Sequence, residues 1–393
     1  MYKNFWYTCG PSTTITHKPK RLKILGQNLV AYRKDTGEAV VMSDLCIHRG
    51  GSLAMGWVED NCLRCPYHGW KFKDDGTCVE IPSLAKDKSI PRKARVDAYP
   101  SAEKYGLVWV FLGDLPQEER PPIPDFPGWD EENFRATYGE FTWNANFRRV
   151  VENSLDPAHA SWVHKDSFGS KQDPEVPEFE IKTSELGGGA HMTLISPKLK
   201  GLWGRKREVR NEVHLYNGYL MPNVTIVNMV IGKLQTRLYN IAVPVDEETT
   251  ITYWVVLRDF FKSSLFDGDT HRRTMNIFYE DAPVVENQRP ELIPEEISAE
   301  LHVRADGIQI AYRKMCQAIE AKGWGIDLDQ YRTLEGKKAT IIPCPARRKE
   351  KEQGTWVFPE VPMSSVKDKA KAAANEPAWK IEGTEEGAQK ELN

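Results

Sequence analysis

Cys46-Ile47-His48-Arg49-Gly50-Gly51 and Cys65-Pro66-Tyr67-His68-Gly69-Trp70 are two short stretches built on one plan. Each opens on a cysteine, places a histidine two or three residues later and goes on to glycine. Two thiolates and two neutral imidazoles are the donors of a [2Fe-2S] cluster in which one iron takes sulfur and the other nitrogen. Exchanging thiolates for imidazoles leaves such a cluster less negative and easier to reduce than an all-cysteine one. The glycines let two loop tips approach the cluster and turn backbone N–H groups toward its sulfurs. A zinc site is the competing use of two cysteines and two histidines, but zinc fingers and ribbons favour other spacings. Scattered core cysteines and surface histidines would leave the matched pairs unexplained. The two stretches thus predict an electron-carrying centre held on loops.

Around them, residues 1–115 read as short strands and turns. Leu22–Leu25, Leu29–Tyr32 and Val40–Met42 are separated by Gly26 and by Asp35-Thr36-Gly37, both turn signals. Trp70-Lys71-Phe72 runs into Asp74-Asp75-Gly76, a hairpin signature. Leu107–Leu112 is an apolar run suited to a buried strand. An all-β domain with the cluster loops at its tip is expected over 1–115. Residues 116–130 carry Pro116, Pro121, Pro122, Pro124 and Pro127 and read as an extended connector.

A second domain is expected over 131–345. It opens on a helix near Asn144–Leu155, where Phe147, Val150, Val151 and Leu155 recur at helical spacing. Strand-like runs follow at Glu178–Thr183, His191–Ile195, Glu208–Tyr216, Thr225–Val230, Gln235–Val243 and Thr250–Leu257. Gly187-Gly188-Gly189 and Asn217-Gly218 read as turns between them. Such a run of strands predicts a large antiparallel sheet rather than a βαβ repeat. Helical patterns return near His271–Gln288 and Asp306–Ala321. Residues 346–393 are charged and alanine-rich, with Lys367–Ala374 as an example, and read as a tail of low order in which Trp356, Phe358 and Trp379 are candidate anchors.

Composition narrows the class. At 393 residues the chain exceeds one ordinary domain, and its 40% hydrophobic and 28% charged residues are those of a soluble globular protein. A net charge of −3 gives no reason to expect nucleic acid or an anionic membrane as partner. No apolar run approaches the ~18 residues of a membrane span. Cys9, Cys62, Cys78, Cys316 and Cys344 show no paired framework, and the aromatic start Met1-Tyr2-Lys3-Asn4-Phe5-Trp6-Tyr7 is no secretory peptide. A cytoplasmic, reducing setting is expected.

The second constellation is Asn153-Ser154-Leu155-Asp156-Pro157-Ala158-His159-Ala160-Ser161-Trp162-Val163-His164. In a regular helix His159 and His164 would point ~140° apart, so both can reach one metal only if the helix ends or bends between them. Alone, two histidines are weak evidence. In a separate domain after a candidate cluster, they gain weight.

Together these motifs resemble the catalytic α subunit of Rieske non-haem iron oxygenases. The family pattern Asn-x-x-Asp-x-x-His-x4-His is matched by Asn153, Asp156, His159 and His164, and its Rieske pattern by Cys46, His48, Cys65 and His68. The resemblance covers roughly Phe5 to Lys322. Respiratory-type Rieske proteins add one disulfide cysteine per loop. Here those positions are Gly51 and Tyr67, so the low-potential type is expected, at about −150 mV.

The resemblance implies an α+β chain, with an all-β Rieske domain and a helix-grip catalytic domain holding mononuclear Fe(II). The ligands would be His159, His164 and one carboxylate. Asp281, rather than adjacent Glu280, is expected to be that carboxylate. It stands where the family's Asp falls, and its neighbours at helical spacing, Ile277, Phe278, Val284 and Val285, are all apolar. The bland alternative is a surface acid beside Pro283. By resemblance, Asp156 relays electrons from His68 of one subunit to His159 or His164 of the next, which implies a homotrimer. A ferredoxin or NAD(P)H-dependent reductase is the implied partner. Mono- or dioxygenation of a small cyclic or aromatic compound is the implied reaction: hydroxylation, cis-dihydroxylation, or O- or N-demethylation. The pattern Glu300–Asp306 with Ala311-Tyr312-Arg313 resembles the branch lacking a β subunit. The cavity walls are expected around Trp143–Val150, Asn223–Val230 and Asn240–Val243. The alternative is a Rieske electron carrier fused to a ligand-binding domain without oxygenase activity.

Overall fold

The computed structural model describes residues 1–165, 167–169, 171, 173–195, 212–350 and 356–364. Its described residues divide into two compact units, one of Met1–Ile123 together with the described residues of 319–364, the other of Pro124–Ala318. The division falls inside the proline-rich stretch.

The first unit is built of short antiparallel strands. They are β1 (Phe5–Pro11), β2 (Lys20–Ile24), β3 (Gln27–Arg33), β4 (Ala39–Ser43), β5 (Trp57–Glu59), β6 (Cys62–Arg64), β7 (Lys71–Phe72), β8 (Cys78–Glu80), β9 (Ala98–Tyr99), β10 (Ser101–Lys104) and β11 (Leu107–Leu112). They form three sheets, ordered β1-β11-β10, β2-β3-β4-β9 and β5-β6-β7-β8. All of β11 is buried, as its unbroken apolar run requires. The β7–β8 turn carries Gly76 at φ +82°, a conformation that costs glycine little. The core around Val30, Tyr32, Leu53 and Phe72 includes Cys46 and Cys65.

The second unit has one seven-stranded antiparallel sheet and helices against it. In chain order come β12 (Arg135–Trp143), α1 (Phe147–Leu155), α2 (Ala160–Val163), β13 (Ile181–Ser184), β14 (Gly187–Ile195), β15 (Glu212–Leu220), β16 (Val224–Ile231), β17 (Leu234–Pro244), β18 (Thr250–Arg258), α3 (Asp267–Val285) and α4 (Gly307–Ala321). The sheet is a meander from β13 to β18 with β12 returning to pair with β18. Helix α1 packs against β15, β16 and β17, and α3 packs on β12 and α1. Asn146 caps α1 by accepting the Arg148 N–H at 3.0 Å, and Phe147, Val150, Val151 and Leu155 are buried. The helix stops at Asp156, which is extended because Pro157 follows. Buried Arg313 on α4 ties back to α1 through a bidentate pair with Glu152 at 2.6 and 2.7 Å and also meets Glu300.

Two sequence-based expectations are corrected here. Gly187-Gly188-Gly189 and Asn217-Gly218 are not turns but strand interior, with Gly189 directly opposite Gly218 across β14 and β15. A Cβ on Gly189 would come within 2.7 Å of both Gly218 Cα and the Tyr216 hydroxyl, and one on Gly218 within 2.6 Å of that hydroxyl. The glycines make room for an aromatic ring lying across the strands.

The linear division at 131–345 also differs from the compact units. The described residues of 319–364 pack with the first unit: Ile326 N–H donates to Met1 O, Lys3 N–H to Trp324 O, and the Tyr99 hydroxyl to Ile342 O. Helices α5 (Leu328–Leu334) and α6 (Pro345–Lys349) lie in this segment. The start of the expected tail is therefore ordered. Arg347 is buried in a bidentate pair with Asp97, and Trp356 lies under the guanidinium groups of Arg95 and Arg347. Lys367–Ala374, Trp379 and residues 208–211 of the expected Glu208–Tyr216 strand fall outside the described residues. Among the described residues no helix is long and apolar enough to cross a membrane, and all seven cysteines are free thiols.

Candidate metal centres

The two cysteine–histidine loops of the first unit repeat one backbone pattern. Cys46 N–H donates to Gly51 O and Gly50 N–H to Cys46 O, at 2.9 and 2.8 Å. Cys65 N–H donates to Trp70 O and Gly69 N–H to Cys65 O, at 2.8 and 3.0 Å. Gly50 and Gly69 both take positive φ, +67° and +72°, which closes each loop tightly enough for this double bond. The tips meet: a Cβ on Gly51 would lie 3.6 Å from Cys65 Sγ. The His48 and His68 rings are 4.5 Å apart at 64°, and Trp70 stacks on His48 at 4.7 Å and 6°.

These residues suit an iron–sulfur cluster. His48 Nδ1 is buried with no hydrogen-bond partner, as a nitrogen reserved for a metal would be. Burial holds the His48 imidazole below its ordinary pKa, so it stays neutral and able to ligate. Burial pushes the Cys46 thiol up to about 12, the cost of a bare buried thiolate that a bound metal offsets.

In the second unit the backbone supplies the break that the histidine spacing demands. After α1 ends at Leu155, His159 and His164 stand at the two ends of the single-turn helix α2. The chain then folds over His164, whose carbonyl accepts N–H groups from Ser167, Phe168 and Gly169. A Cβ on Gly169 would sit 2.1 Å from Ala160 O, so this turn excludes side chains there. The ring atoms His159 Nε2 and His164 Nε2 are 3.2 Å apart and lie 3.6 and 3.2 Å from Asp281 Oδ1. Among the described residues this is the one group of three or more donors able to share an ion.

The protons are accounted for elsewhere. His159 Nδ1 lies 2.6 Å from Asp156 O, and His164 Nδ1 lies 2.7 Å from Glu280 Oε2. A carbonyl and a carboxylate can only accept, so each Nδ1 carries a proton, and in the neutral ring that metal binding requires each Nε2 then keeps its lone pair. Asp281 Oδ1 is buried with no hydrogen-bond donor, on a residue only 4% exposed. Two nitrogen lone pairs and an unpaired carboxylate oxygen converging on one largely buried point call for a cation. The donor set, two imidazoles and one carboxylate, suits Fe(II) with positions left open. Burial opposes a charged His164, but its contacts with Asp281 and Glu280 outweigh that and raise its pKa. Burial raises the Asp156 carboxyl, and His159 nearby counters it.

All of these donors line a cavity of about 640 Å³, whose walls include Trp143, Val150, Val227, Met229 and Leu238. Alternate residues of β16 face it, namely Thr225, Val227, Met229 and Ile231. Asn153 and Asp156 line it too. Asn223, expected in the wall, is instead fully buried and donates to Ala242 O.

Two features of the site escaped the sequence reading. Glu280 holds His164. Ser154 is a hub: its carbonyl accepts from Asn217 Nδ2, its hydroxyl accepts from Asn240 Nδ2, and that hydroxyl pairs with Thr225 Oγ1 at 2.7 Å. This hub fastens the last turn of α1, just before Asp156, to three strands.

Comparison with known proteins gives matches over both units. Residues 5–100 match the family described as the Rieske [2Fe-2S] domain, and residues 143–322 the vanillate O-demethylase oxygenase C-terminal domain. The chain is 28% identical to the methylxanthine N1-demethylase NdmA of Pseudomonas putida, covering 81% of this chain and 89% of that protein. It is 30% identical to the aminopyrrolnitrin oxygenase PrnD of Pseudomonas fluorescens, covering 64% of this chain and 73% of that protein. Of solved structures, Pseudomonas putida CBB5 NdmA with caffeine is similar at TM-score 0.69 and 26% identity, covering 81% of this chain and 91% of that one. Dicamba monooxygenase bound to dicamba shares the fold at TM-score 0.68 and 21% identity, covering 81% of this chain and 97% of that one.

Proposed function

The chain belongs to the Rieske non-haem iron oxygenases, as a catalytic subunit, and from that premise we propose that its second unit oxidises a small cyclic compound held against Fe(II). A single observation carries this reading: His159, His164 and Asp281 meet in the wall of a largely apolar cavity. Such a cavity suits a compact, mostly apolar ring. The match of residues 143–322 to an oxygenase domain favours this over an electron carrier with a passive ligand-binding domain. Relatives named for N- and O-demethylation, such as the methylxanthine N1-demethylase and a 5,5'-dehydrodivanillate O-demethylase oxygenase subunit, make a methylated nitrogen or oxygen the first substrate class to test.

In this reading Cys46, His48, Cys65 and His68 hold the [2Fe-2S] cluster, and His159, His164 and Asp281 hold the iron. When bound, the two centres supply electron transfer and O₂ chemistry. The protein's own residues do the rest. Trp143, Val150, Met229 and Leu238 keep water from the ring and orient it. The carbonyl of Asp156 fixes the His159 tautomer. The Asp156 carboxylate accepts the Ala158 N–H with one oxygen, and its side chain is 24% exposed. Its other oxygen, 3.9 Å from His159 Nδ1, has room to accept an imidazole N–H, which we assign to His68 of a neighbouring copy. His68 is exposed at its loop tip. This assignment implies a ring of like subunits, a homotrimer, working in the cytoplasm with a ferredoxin or NAD(P)H-dependent reductase. Asn153, on the cavity side of α1, stands beside this relay.

The test is iron content with O₂ uptake. The purified chain should hold about three iron atoms. It should consume O₂ with a surrogate reductase when offered small N- or O-methyl aromatic compounds. Two irons per chain, or uptake indifferent to any such compound, would overturn the reading.

A further inference from the structure

Two consecutive acids of α3 close on opposite edges of one imidazole. Asp281 Oδ1 lies 3.2 Å from His164 Nε2, and Glu280 Oε2 lies 2.7 Å from His164 Nδ1. Neighbouring residues leave a helix about 100° apart, so the two carboxylates converge only because the His164 ring stands between them. The ring is almost fully enclosed, with a side chain 2% exposed, and Phe168 stacks on its face at 4.6 Å and 27°. Glu280 is itself tethered: its Oε1 accepts the Ser167 hydroxyl at 2.5 Å. Ser167 stands on the turn that wraps the His164 carbonyl. The turn that fixes His164 through its backbone thus also fixes the carboxylate that holds its ring.

His159 has no such arrangement. Its Nδ1 proton goes to the neutral carbonyl of Asp156. The two imidazoles are therefore backed unequally, one by a peptide dipole and one by a full negative charge. A carboxylate on Nδ1 fixes the tautomer and raises the donor strength of Nε2. Glu280 does not line the cavity, so its influence on substrate must pass through His164.

Resting on the iron-site reading above, we propose that Glu280 is a positioning residue that makes His164 the stronger imidazole donor, and that retention of the iron depends on the Ser167–Glu280–His164 chain. The competing role is structural, a surface acid that merely staples α3 to the turn after α2. The two roles differ in what they leave unchanged.

The experiment uses the full chain with its cluster intact, as wild type, Glu280→Ala, Glu280→Gln and Ser167→Ala. The readout is Fe(II) retention against a ferrous chelator, with the visible absorption of the cluster and the melting temperature followed in parallel. Glu280→Ala should hold mononuclear iron about 10–100-fold more weakly. Glu280→Gln should fall between, because its amide oxygen still accepts the Nδ1 proton without the charge. Ser167→Ala should shift retention the same way and least. Cluster absorption should not change, and KM measured in excess iron should stay at the wild-type value. Iron held by Glu280→Ala as tightly as by wild type overturns the proposal. So does a loss of iron matched by loss of cluster and melting temperature in both Glu280 variants. Should Glu280→Ala fail to fold, the isosteric Glu280→Gln decides alone, and wild-type retention in it overturns the proposal. A wild-type chain lacking the third iron would bring down the oxygenase reading together with this one, whereas unchanged retention in the variants defeats this one only.

Discussion

The two candidate metal sites solve the same problem, gathering donors, by opposite means. The cluster loops gather theirs locally. Each loop spans six residues, Cys46–Gly51 and Cys65–Trp70, and each closes on itself by the same two backbone bonds. The proposed iron site draws His159 and His164 from one turn, but its third donor, Asp281, arrives on α3 after the whole sheet has been laid down. A site built from closed loops carries its geometry in contiguous residues. A site built across elements inherits its geometry from the register and packing of everything between them. It therefore needs supports, and the structure supplies them in Glu280 and in the Ser154 hub.

Removing one donor from each site is the harshest test of that contrast. Asp281→Ala should weaken mononuclear iron by more than about 100-fold, beyond the range known for outer supports, while cluster absorption stays intact. Cys46→Ser should remove the cluster and leave the iron in place. Metal analysis and visible spectra read both, and loss of both metals in either variant would break the claim that the sites are built independently.

Asp156→Asn comes next. Both metals should remain, because Asn keeps the backbone carbonyl that holds His159. Turnover driven by the reductase should fall at least about 10-fold. Normal coupled turnover would remove Asp156 from the electron path.

The mildest test concerns the scaffold. Asp97→Ala leaves Arg347, a side chain 6% exposed, without its bidentate partner. Breaking such a buried pair should cost about 3 kcal/mol, read by chemical denaturation with the cluster spectrum as one probe. The iron should be retained, and its loss would show that the first unit's scaffold supports the second site.

Legibility in the sequence follows the same divide. Strand β11 and the β7–β8 hairpin were readable because their signals are contiguous: an unbroken apolar run, and a turn motif ending in glycine. The preference for Asp281 over Glu280 rested on four apolar neighbours. Phe278 and Val285 are indeed buried, but Val284 is 48% exposed. The inward direction was legible, then, and the width of the buried face was not. Gly218 was misread as a turn because glycine reports a missing side chain, and only the strand pairing shows whether that absence serves a bend or a crossing Tyr216 ring. Glu280 left one faint signal, a second acid beside the first. Nothing in one dimension says that a single ring would sit between them.

The candidate chemistry is legible along the chain: two cysteines and two histidines on short loops, two histidines with a helix-breaking proline before them, and strand-like runs enough for a large antiparallel sheet. These are properties of residues near one another along the chain, where spacing dictates geometry. Long-range packing is what returns the described residues of 319–364 to the first unit, pins Ser154 with two distant asparagines, and sets Glu280 against Nδ1 of His164 while Asp281 faces Nε2. Those outcomes depend on the register of seven strands and on where α3 lands against them. That is a sum of many weak contacts between residues far apart in sequence, and no single stretch encodes it.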